Sequence, residues 1–311
     1  MTIALVADIG ATHARFALTG ADGAPGDPVV LPTPDSPGAE ALIRAALARL
    51  GAEPGTACLA IAGPVRDGRG SITNGTLTFD AAALGATLGM AVTLVNDFQA
   101  LAMALPHLRS LRSLGGPPAG AGTKAVLGPG SGLGMGVLVP VGDRWQVLAS
   151  EGGHADLAPG SPLELELLGV LQAEHGHVCW ETVLCGPGLV RLYRAVCAVW
   201  GSTPAALGAA DVTRLGVDAD DPVCHQTLEV FCSLLGSAAG NLAVTVCAHG
   251  GVYLGGGILP QLADFVAASP LRRRFEERGA MTALVREMPL LLILDPAPGL
   301  TGAAALLHGS R

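Results

Sequence analysis

Lysine occurs once in the chain, at Lys124, where it follows Thr123. A nucleotide-binding P-loop needs Gly-Lys followed by Ser or Thr, so that mode of phosphate binding is excluded. A dinucleotide fingerprint is missing too. It needs G-x-G-x-x-G ahead of a helix. Counting from Gly128, Gly130 or Gly132, the sixth residue is Leu133, Met135 or Val137, and the segment beyond reads as a strand. Charge is scarce: 14% of the 311 residues are charged against 50% hydrophobic, which excludes long disordered tails. The net charge of -8 argues against a nucleic-acid partner, because binding a phosphate backbone needs a basic face. A local site for a small phosphate ligand stays open.

No C-x-x-C pair is present, and the 7 cysteines are an odd, scattered set. Reduced thiols in a cytoplasmic protein are the expectation. Cys58, Cys197, Cys232 and Cys247 sit in apolar context and read as small core residues. His175 and His177 lack a third ligand nearby, so no zinc is expected. Met1 and Thr2 run straight into the apolar Ile3 to Ala7 with no basic region, so no targeting segment is expected. The longest uncharged stretch, Phe231 to His249, is long enough to span a bilayer. Ser233, Gly236, Ser237, Gly240, Asn241 and Thr245 interrupt it, and it reads as a helix buried between layers.

What is there is an alternation of short apolar strands, glycine turns and helices, in enough chain for two lobes. Ile3–Ala7, Ala14–Leu18, Pro28–Leu31, Cys58–Ala62 and Val92–Val95 read as strands, Gly38–Leu50 and Phe98–Leu105 as helices. Residues 112–122, rich in Gly, Pro and Ala, read as a lobe boundary. After it the opening order recurs: strand 125–127, glycine turn 128–132, strand 133–140, hairpin, strand 145–149. This is a weak internal duplication in which each half offers a glycine turn between strands, as a phosphate clamp would. Helices are expected at 162–174, 188–200, 222–248, 259–268 and from about Gly299, with short strands at 252–254 and 290–294.

Three glycine turns come directly after strands: Gly10 to Thr12, Gly128 to Gly134 and Gly255 to Gly257. Glycines there allow positive φ and let successive N–H groups face a phosphate. Asp8 ends a buried strand beside the first turn, where a carboxylate either holds Mg²⁺, directly or through water, or caps the turn. Asn96-Asp97 ends another buried strand at a helix start. Asp97 is either an N-cap or the group that takes a proton from a hydroxyl attacking phosphorus. Glu151, His154 and Glu181 are polar in an apolar chain. Each is either a solvated loop residue or a partner for sugar hydroxyls, which carboxylates bind by charge-assisted hydrogen bonds.

Taken together, D-I-G-A-T-H-A-R (8–15), N-D-F-Q-A (96–100), G-P-G-S-G-L-G (128–134), E-G-G-H-A-D-L-A-P (151–159), C-G-P-G-L-V-R-L-Y-R-A (185–195) and G-G-V-Y-L-G-G-G-I (250–258) resemble the bacterial glucokinases, in order and spacing over nearly the whole chain. The resemblance implies an α/β, two-lobed actin-like ATPase fold of ribonuclease H-like halves, with a cleft between a small and a large domain. The expected domains are 1–108 with about 296–311, and 109–295. It implies ATP-dependent phosphorylation of glucose at the 6-hydroxyl, with ATP and Mg²⁺, in a cytoplasmic homodimer that binds neither nucleic acid nor membrane. Carried over by position, Asp97 is the catalytic base. Asn74, Asn96, Asp97, Glu151, His154 and Glu181 bind glucose. Asp8, Gly10 and Thr12 form the first phosphate turn, with Asp8 toward Mg²⁺, and Gly130, Ser131 and Gly132 form the second. Gly255 and Gly256 lie near the adenosine. Where the family usually has Gly-Gly-Thr-Asn, this chain has Gly10-Ala11-Thr12-His13. Alternatives are a kinase for another hexose, or a sugar-binding regulator with weak catalysis.

Overall fold

The structure is a computed structural model that describes residues 3–308. The two residues read as leading into the first strand, and the last three assigned to the small domain, lie outside the described residues. The chain forms two compact units: one takes the residues up to Ser110, Gly136–Ala149 and those from Asp295 on, the other Leu111–Met135 and Ser150–Leu294.

The first unit is built on β1 (Leu5–Ile9), β2 (His13–Leu18), β3 (Val29–Pro32), β4 (Thr56–Ile61), the short β5 (Val65–Arg66), β6 (Arg69–Ser71) and β7 (Thr78–Asp80), and β8 (Ala91–Asn96). Its main sheet has the order β3-β2-β1-β4-β8. β1, β2 and β3 form an antiparallel meander, whereas β4 lies parallel to both β1 and β8. Side chains alternate across the sheet. Leu5, Ala7 and Ile9 pack with Leu42, Ile43 and Ala46 of the helix Ala39–Leu50. Val6 and its register partner Cys58 face Leu300, Ala303 and Ala304 of the helix Pro298–His308. Helices therefore cover both faces, which is why β4 is apolar from Ala57 to Ile61. β5, β6 and β7 form a separate three-stranded sheet. They escaped the sequence reading because strands of two or three residues carry no periodicity.

The second unit holds β9 (Leu111–Gly115), β10 (Lys124–Pro129), the start of β11 (Leu133–Val141), the end of β12 (Arg144–Ser150), β13 (Gly251–Leu254) and β14 (Leu290–Ile293). The sheet order is β12-β11-β10-β13-β14-β9. Both main sheets thus place three consecutive strands first, then a parallel strand beside the earliest of the three, and the recurrence legible in the sequence is a recurrence of topology. The expected boundary at 112–122 is partly corrected: its first residues form β9, an edge strand antiparallel to β14. The sole lysine is buried: Lys124 Nζ donates to the carbonyls of Gly120 (2.7 Å) and Gly250 (3.1 Å).

The helix Pro222–Val246 starts cleanly because Asp221 Oδ1 accepts the N–H groups of Val223 and Cys224, both at 2.8 Å, with Pro222 in the first turn. It is long and apolar enough to cross a membrane by length and composition, yet 67% of its most apolar window is buried inside the protein. Gly236 and Gly240 lie in it where Arg274 and Arg278 pack. Arg274 Nη2 reaches Glu164 Oε2 at 3.0 Å and Ser237 Oγ at 2.8 Å, a buried ion pair. Of the cysteines read as core, Cys58, Cys197 and Cys232 are buried, but Cys247 is exposed, at the left-handed C-cap of this helix.

Candidate active site

β1 and β8 both run parallel to β4 and flank it, so their carboxyl ends lie at one edge of the sheet. Ligands of open α/β sheets collect at such an edge. β1 delivers Asp8 there, and β8 delivers Asn96 and Asp97. Asp8 shares the Val6 face of β1, so it meets the C-terminal helix. A β-carbon built on Gly299 would stand 2.7 Å from Asp8 Oδ2. Burial raises the Asp8 carboxyl above the usual carboxylate range, with the Arg15 guanidinium opposing it.

Asn96, not Asp97, is the N-cap of the helix Asp97–Ala104. Its Oδ1 accepts the N–H groups of Phe98 (2.9 Å) and Gln99 (3.3 Å), and Gln99 Oε1 accepts the Asn96 N–H in return (3.2 Å). Asn96 Nδ2 donates to the Gly63 carbonyl at 3.1 Å. The Asp97 carboxylate, one residue on, takes the Phe98 N–H at 3.0 Å, and its own N–H and the Asn96 side chain also favour its ionised form. Its carboxyl is pushed up to about 7, first by burial and then by the negative charge of Asp8. Neither aspartate forms a salt bridge among the described residues. Two close, half-buried carboxylates of this kind, with no salt bridge of their own, are a hard oxygen donor set that fits Mg²⁺.

The first glycine turn is tied down at both ends: Gly10 N–H donates to the His13 carbonyl (3.0 Å), and the Thr12 carbonyl accepts the Thr33 N–H (3.0 Å). Thr12 and His13 are exposed, with His13 Nδ1 and Thr12 Oγ1 3.2 Å apart. Asn74 is exposed in the loop between β6 and β7. The next residue, Gly75, has its β-position 4.0 Å from Ala11 Cα, and Thr73 N–H donates to the Ala62 carbonyl (3.1 Å). The first unit thereby brings Asn74, the first turn, Asp8, Asn96 and Asp97 into one neighbourhood.

In the second unit, β10 and β13 are parallel neighbours and end in the other two glycine turns. The expected positive φ is corrected: among the glycines of the three turns only Gly256 has it, at 83°. Close backbone approach is the stronger reason for glycine here. A β-carbon on Gly128 would stand 2.7 Å from the carbonyl carbon of Gly255, and one on Gly256 would meet the Pro129 carbonyl. Gly130 N–H donates to the Gly132 carbonyl (2.8 Å), and Gly186 N–H donates to the Gly130 carbonyl (2.9 Å). Ser131 is exposed.

Glu151 and His154 are exposed at the two ends of a single 3₁₀ turn, Gly152–His154. Gly153 is pressed against the Leu133 carbonyl, and a β-carbon on Gly152 would lie 2.8 Å from Met135 Sδ. Backbone bonds from Trp180 N–H to the Ala155 carbonyl (3.0 Å) and from Leu157 N–H to the Val178 carbonyl (3.1 Å) bring the segment carrying Glu181 alongside. Glu181 Oε2 then accepts the Leu133 N–H at 2.7 Å. The three candidate sugar ligands of this unit therefore converge on the start of β11. A cavity of about 450 Å³ lies beside the second turn, lined by Gly130, Gly186, Thr213, Arg214, Ile258 and Gln261 among others. The sequence reading missed Gly299, Thr213 and Arg214, since a glycine at a helix start and polar residues on a helix carry no local mark of a site.

The glucokinase family model matches residues 5–310. The chain is 43% identical over 308 residues to the glucokinase of Chromobacterium violaceum, covering 97% of this chain and 88% of that protein. It is 42% identical over 314 residues to that of Saccharophagus degradans, covering 97% of each. A solved glucokinase from an Antarctic psychrotroph is similar with a TM-score of 0.89 at 37% identity, over 99% of both chains. The ROK-family glucokinase of Streptomyces griseus, solved in complex with glucose and AMPPNP, shares the fold at a TM-score of 0.66 and 20% identity, over 98% of each chain. The architecture of two mixed α/β units is accordingly the two-domain actin-like ATPase fold. With a family match along the described chain and relatives above 40% identity over nearly its whole length, the chain belongs to the glucokinase family.

Proposed function

We propose that this protein is a glucokinase that transfers the γ-phosphoryl group of ATP to the 6-hydroxyl of glucose. The observation that carries the reading is the setting of Asp97: Asn96 supplies the helix cap, and burial and the nearby Asp8 push the Asp97 carboxyl up to about 7. A general base works best when its pKa lies near the operating pH.

In the proposed mechanism Asn96, Glu151, His154, Glu181 and Asn74 orient the sugar through its hydroxyls. Asp97 takes the proton of the 6-hydroxyl as that oxygen forms a bond to the γ-phosphorus, the bond to the β-phosphate oxygen breaks, and ADP leaves. N–H groups of the two phosphate turns, around Gly10–Thr12 and Gly130–Gly132, stabilise the charge on the transferring group. The cavity at Thr213 and Arg214 takes the nucleoside, beside Gly255 and Gly256. Asp8 would hold Mg²⁺, directly or through water, and that ion supplies charge neutralisation on the phosphates.

The domain division at 1–108 with 296–311 and at 109–295 belongs to the same proposal. It draws support from compact units that part after Ser110 and before Asp295, with 136–149 the exception. A cytoplasmic location draws support from seven cysteines that are all free. The homodimer is tested by light scattering on a sizing column.

A coupled assay for glucose 6-phosphate, with MgATP and glucose beside fructose, mannose and no-sugar controls, tests the function. Strong glucose-dependent product is expected. Faster turnover of another hexose would reassign the substrate, and no product from folded protein with any sugar would overturn the reading.

A further inference from the structure

One carboxylate in the second unit stands in two candidate sites at once. Glu181 Oε2 accepts the Leu133 N–H at 2.7 Å. The same oxygen lies over Gly132, where an added β-carbon would stand 2.5 Å from Oε2 and 3.7 Å from Oε1. Gly132 closes the second phosphate turn through its carbonyl, which accepts the Gly130 N–H at 2.8 Å. Glu181 therefore holds the trailing end of that turn by a charge-assisted bond, the stronger class of hydrogen bond. Its Oε1 has no hydrogen bond to any described residue.

The segment behind Glu181 is fixed as well. Cys185 Sγ donates to the Glu181 carbonyl (3.1 Å) and accepts the Gly188 N–H (3.3 Å), and the Trp180 N–H is bonded to Ala155. The carboxylate cannot follow a sugar freely without drawing on Leu133, nor can Leu133 shift without drawing on the carboxylate.

We infer that Glu181 is a positioning residue for the second phosphate turn in addition to its contact with the sugar, so that nucleotide and sugar affinity are coupled through this one side chain. Oε2 shapes Gly130–Leu133 and Oε1 takes a sugar hydroxyl. The inference rests on the proposed glucokinase reading for the identity of the sugar, but the link from Glu181 to the turn does not need it. Coupling of this kind is reciprocal: what either ligand does to the other's affinity holds in both directions.

The test separates this role from a sugar contact alone. Affinity for MgAMPPNP is measured by calorimetry on sugar-free protein, wild type against Glu181→Ala. Removing the acceptor leaves the buried Leu133 N–H unpaired and loosens the turn, so a weakening of roughly ten-fold or more is expected. Gly132→Ala provides the converse arm and does not depend on the Glu181→Ala variant folding. Its methyl group displaces Oε2, so glucose affinity measured without nucleotide should also fall, although residue 132 then offers only a methyl group. Unchanged MgAMPPNP binding in folded Glu181→Ala, or unchanged glucose binding in folded Gly132→Ala, would overturn the inference. Failure of the glucokinase reading is seen separately, as wild-type protein that binds MgAMPPNP but makes no glucose 6-phosphate.

Discussion

Asn96, not Asp97, supplies the side-chain cap of the helix whose first residue is Asp97, the residue proposed as the base. Phe98 and Gln99 are held by the Asn96 side chain, which is in turn anchored on Gly63. Asp97 sits where burial and Asp8 hold its carboxyl at about 7. In the proposed role of base it must be ionised to work. kcat/KM for glucose, taken from initial rates at fixed MgATP, should therefore fall as pH drops below about 7 and level off above it. An acid limb centred near 4 would mean that Asp97 is unperturbed or is not the base.

Asp97→Asn removes the base and should lower kcat by roughly 10²–10⁴-fold. The same change should stabilise the protein at high pH. A carboxyl whose folded pKa is raised binds its proton more tightly in the native state, so its contribution to stability falls as pH rises from about 4 to about 7. Asn never carries that penalty. Thermal melts should place Asp97→Asn a few degrees above wild type at pH 8, with the gap closing toward pH 4. A variant that melts lower at pH 8 would contradict the burial argument.

Asn96→Ala should cost stability for a different reason. The cap alone contributes about 1 kcal/mol, and the bond to Gly63 is lost with it. Asn96→Asp keeps an oxygen for Phe98 and Gln99 and should recover the capping part of the loss in a melt, yet it adds a negative charge beside Asp97. Its kcat should stay low. Recovery of kcat alongside stability would show that the amide of Asn96 has no role in catalysis.

How far the sequence reached can be judged residue by residue. β1, β2, β4 and β8 were legible because buried strands leave apolar runs bounded by glycine or polar residues, and Asp8 and Asp97 were legible because they break those runs at strand ends. The sheet of β5–β7 and the helices Trp180–Val183 and Ala209–Val217 were not, being too short or too weakly patterned to declare a period. The distribution of caps between Asn96 and Asp97 was not either, because both residue types are good caps and only coordinates choose. Long-range packing of bare backbone is the least legible of all. Gly299 against Asp8 and Gly132 against Glu181 are separated by hundreds or tens of residues, and a glycine carries no side chain to advertise its neighbour.

Gly299→Ala tests the first of those contacts. Alanine is intrinsically better than glycine in a helix by about 1 kcal/mol, and the helix Pro298–His308 should tolerate it as a helix. The new methyl group would nonetheless stand 2.7 Å from Asp8 Oδ2, and the carboxylate must move. The expected result is a melting temperature near that of wild type with kcat reduced about ten-fold or more. A variant with full turnover would show that Asp8 can shift without consequence for the reaction.

The buried Arg274–Glu164 pair offers a test of the second unit's core. Glu164 is 4% exposed and Arg274 8% exposed, and the pair also holds both backbone groups of Gly160: its N–H on Glu164 Oε2 at 2.6 Å and its carbonyl on Arg274 Nη1 at 3.3 Å. Removing Glu164 leaves Arg274 with a single carboxylate, Glu277 Oε2 at 3.1 Å, so the cost should lie below the roughly 3–5 kcal/mol of a fully stranded buried charge. Glu164→Leu should therefore unfold at lower temperature. Replacing both partners, as in Glu164→Leu with Arg274→Met, removes the under-compensated charge, leaves Glu277 its Arg273 partner, and should recover part of that loss, although Gly160 then has to find water for its two backbone groups. Thermal melts of the two variants decide the matter. A double variant no more stable than Glu164→Leu would mean that the bonds to Gly160 and Ser237, rather than the ion pair, carry the stability.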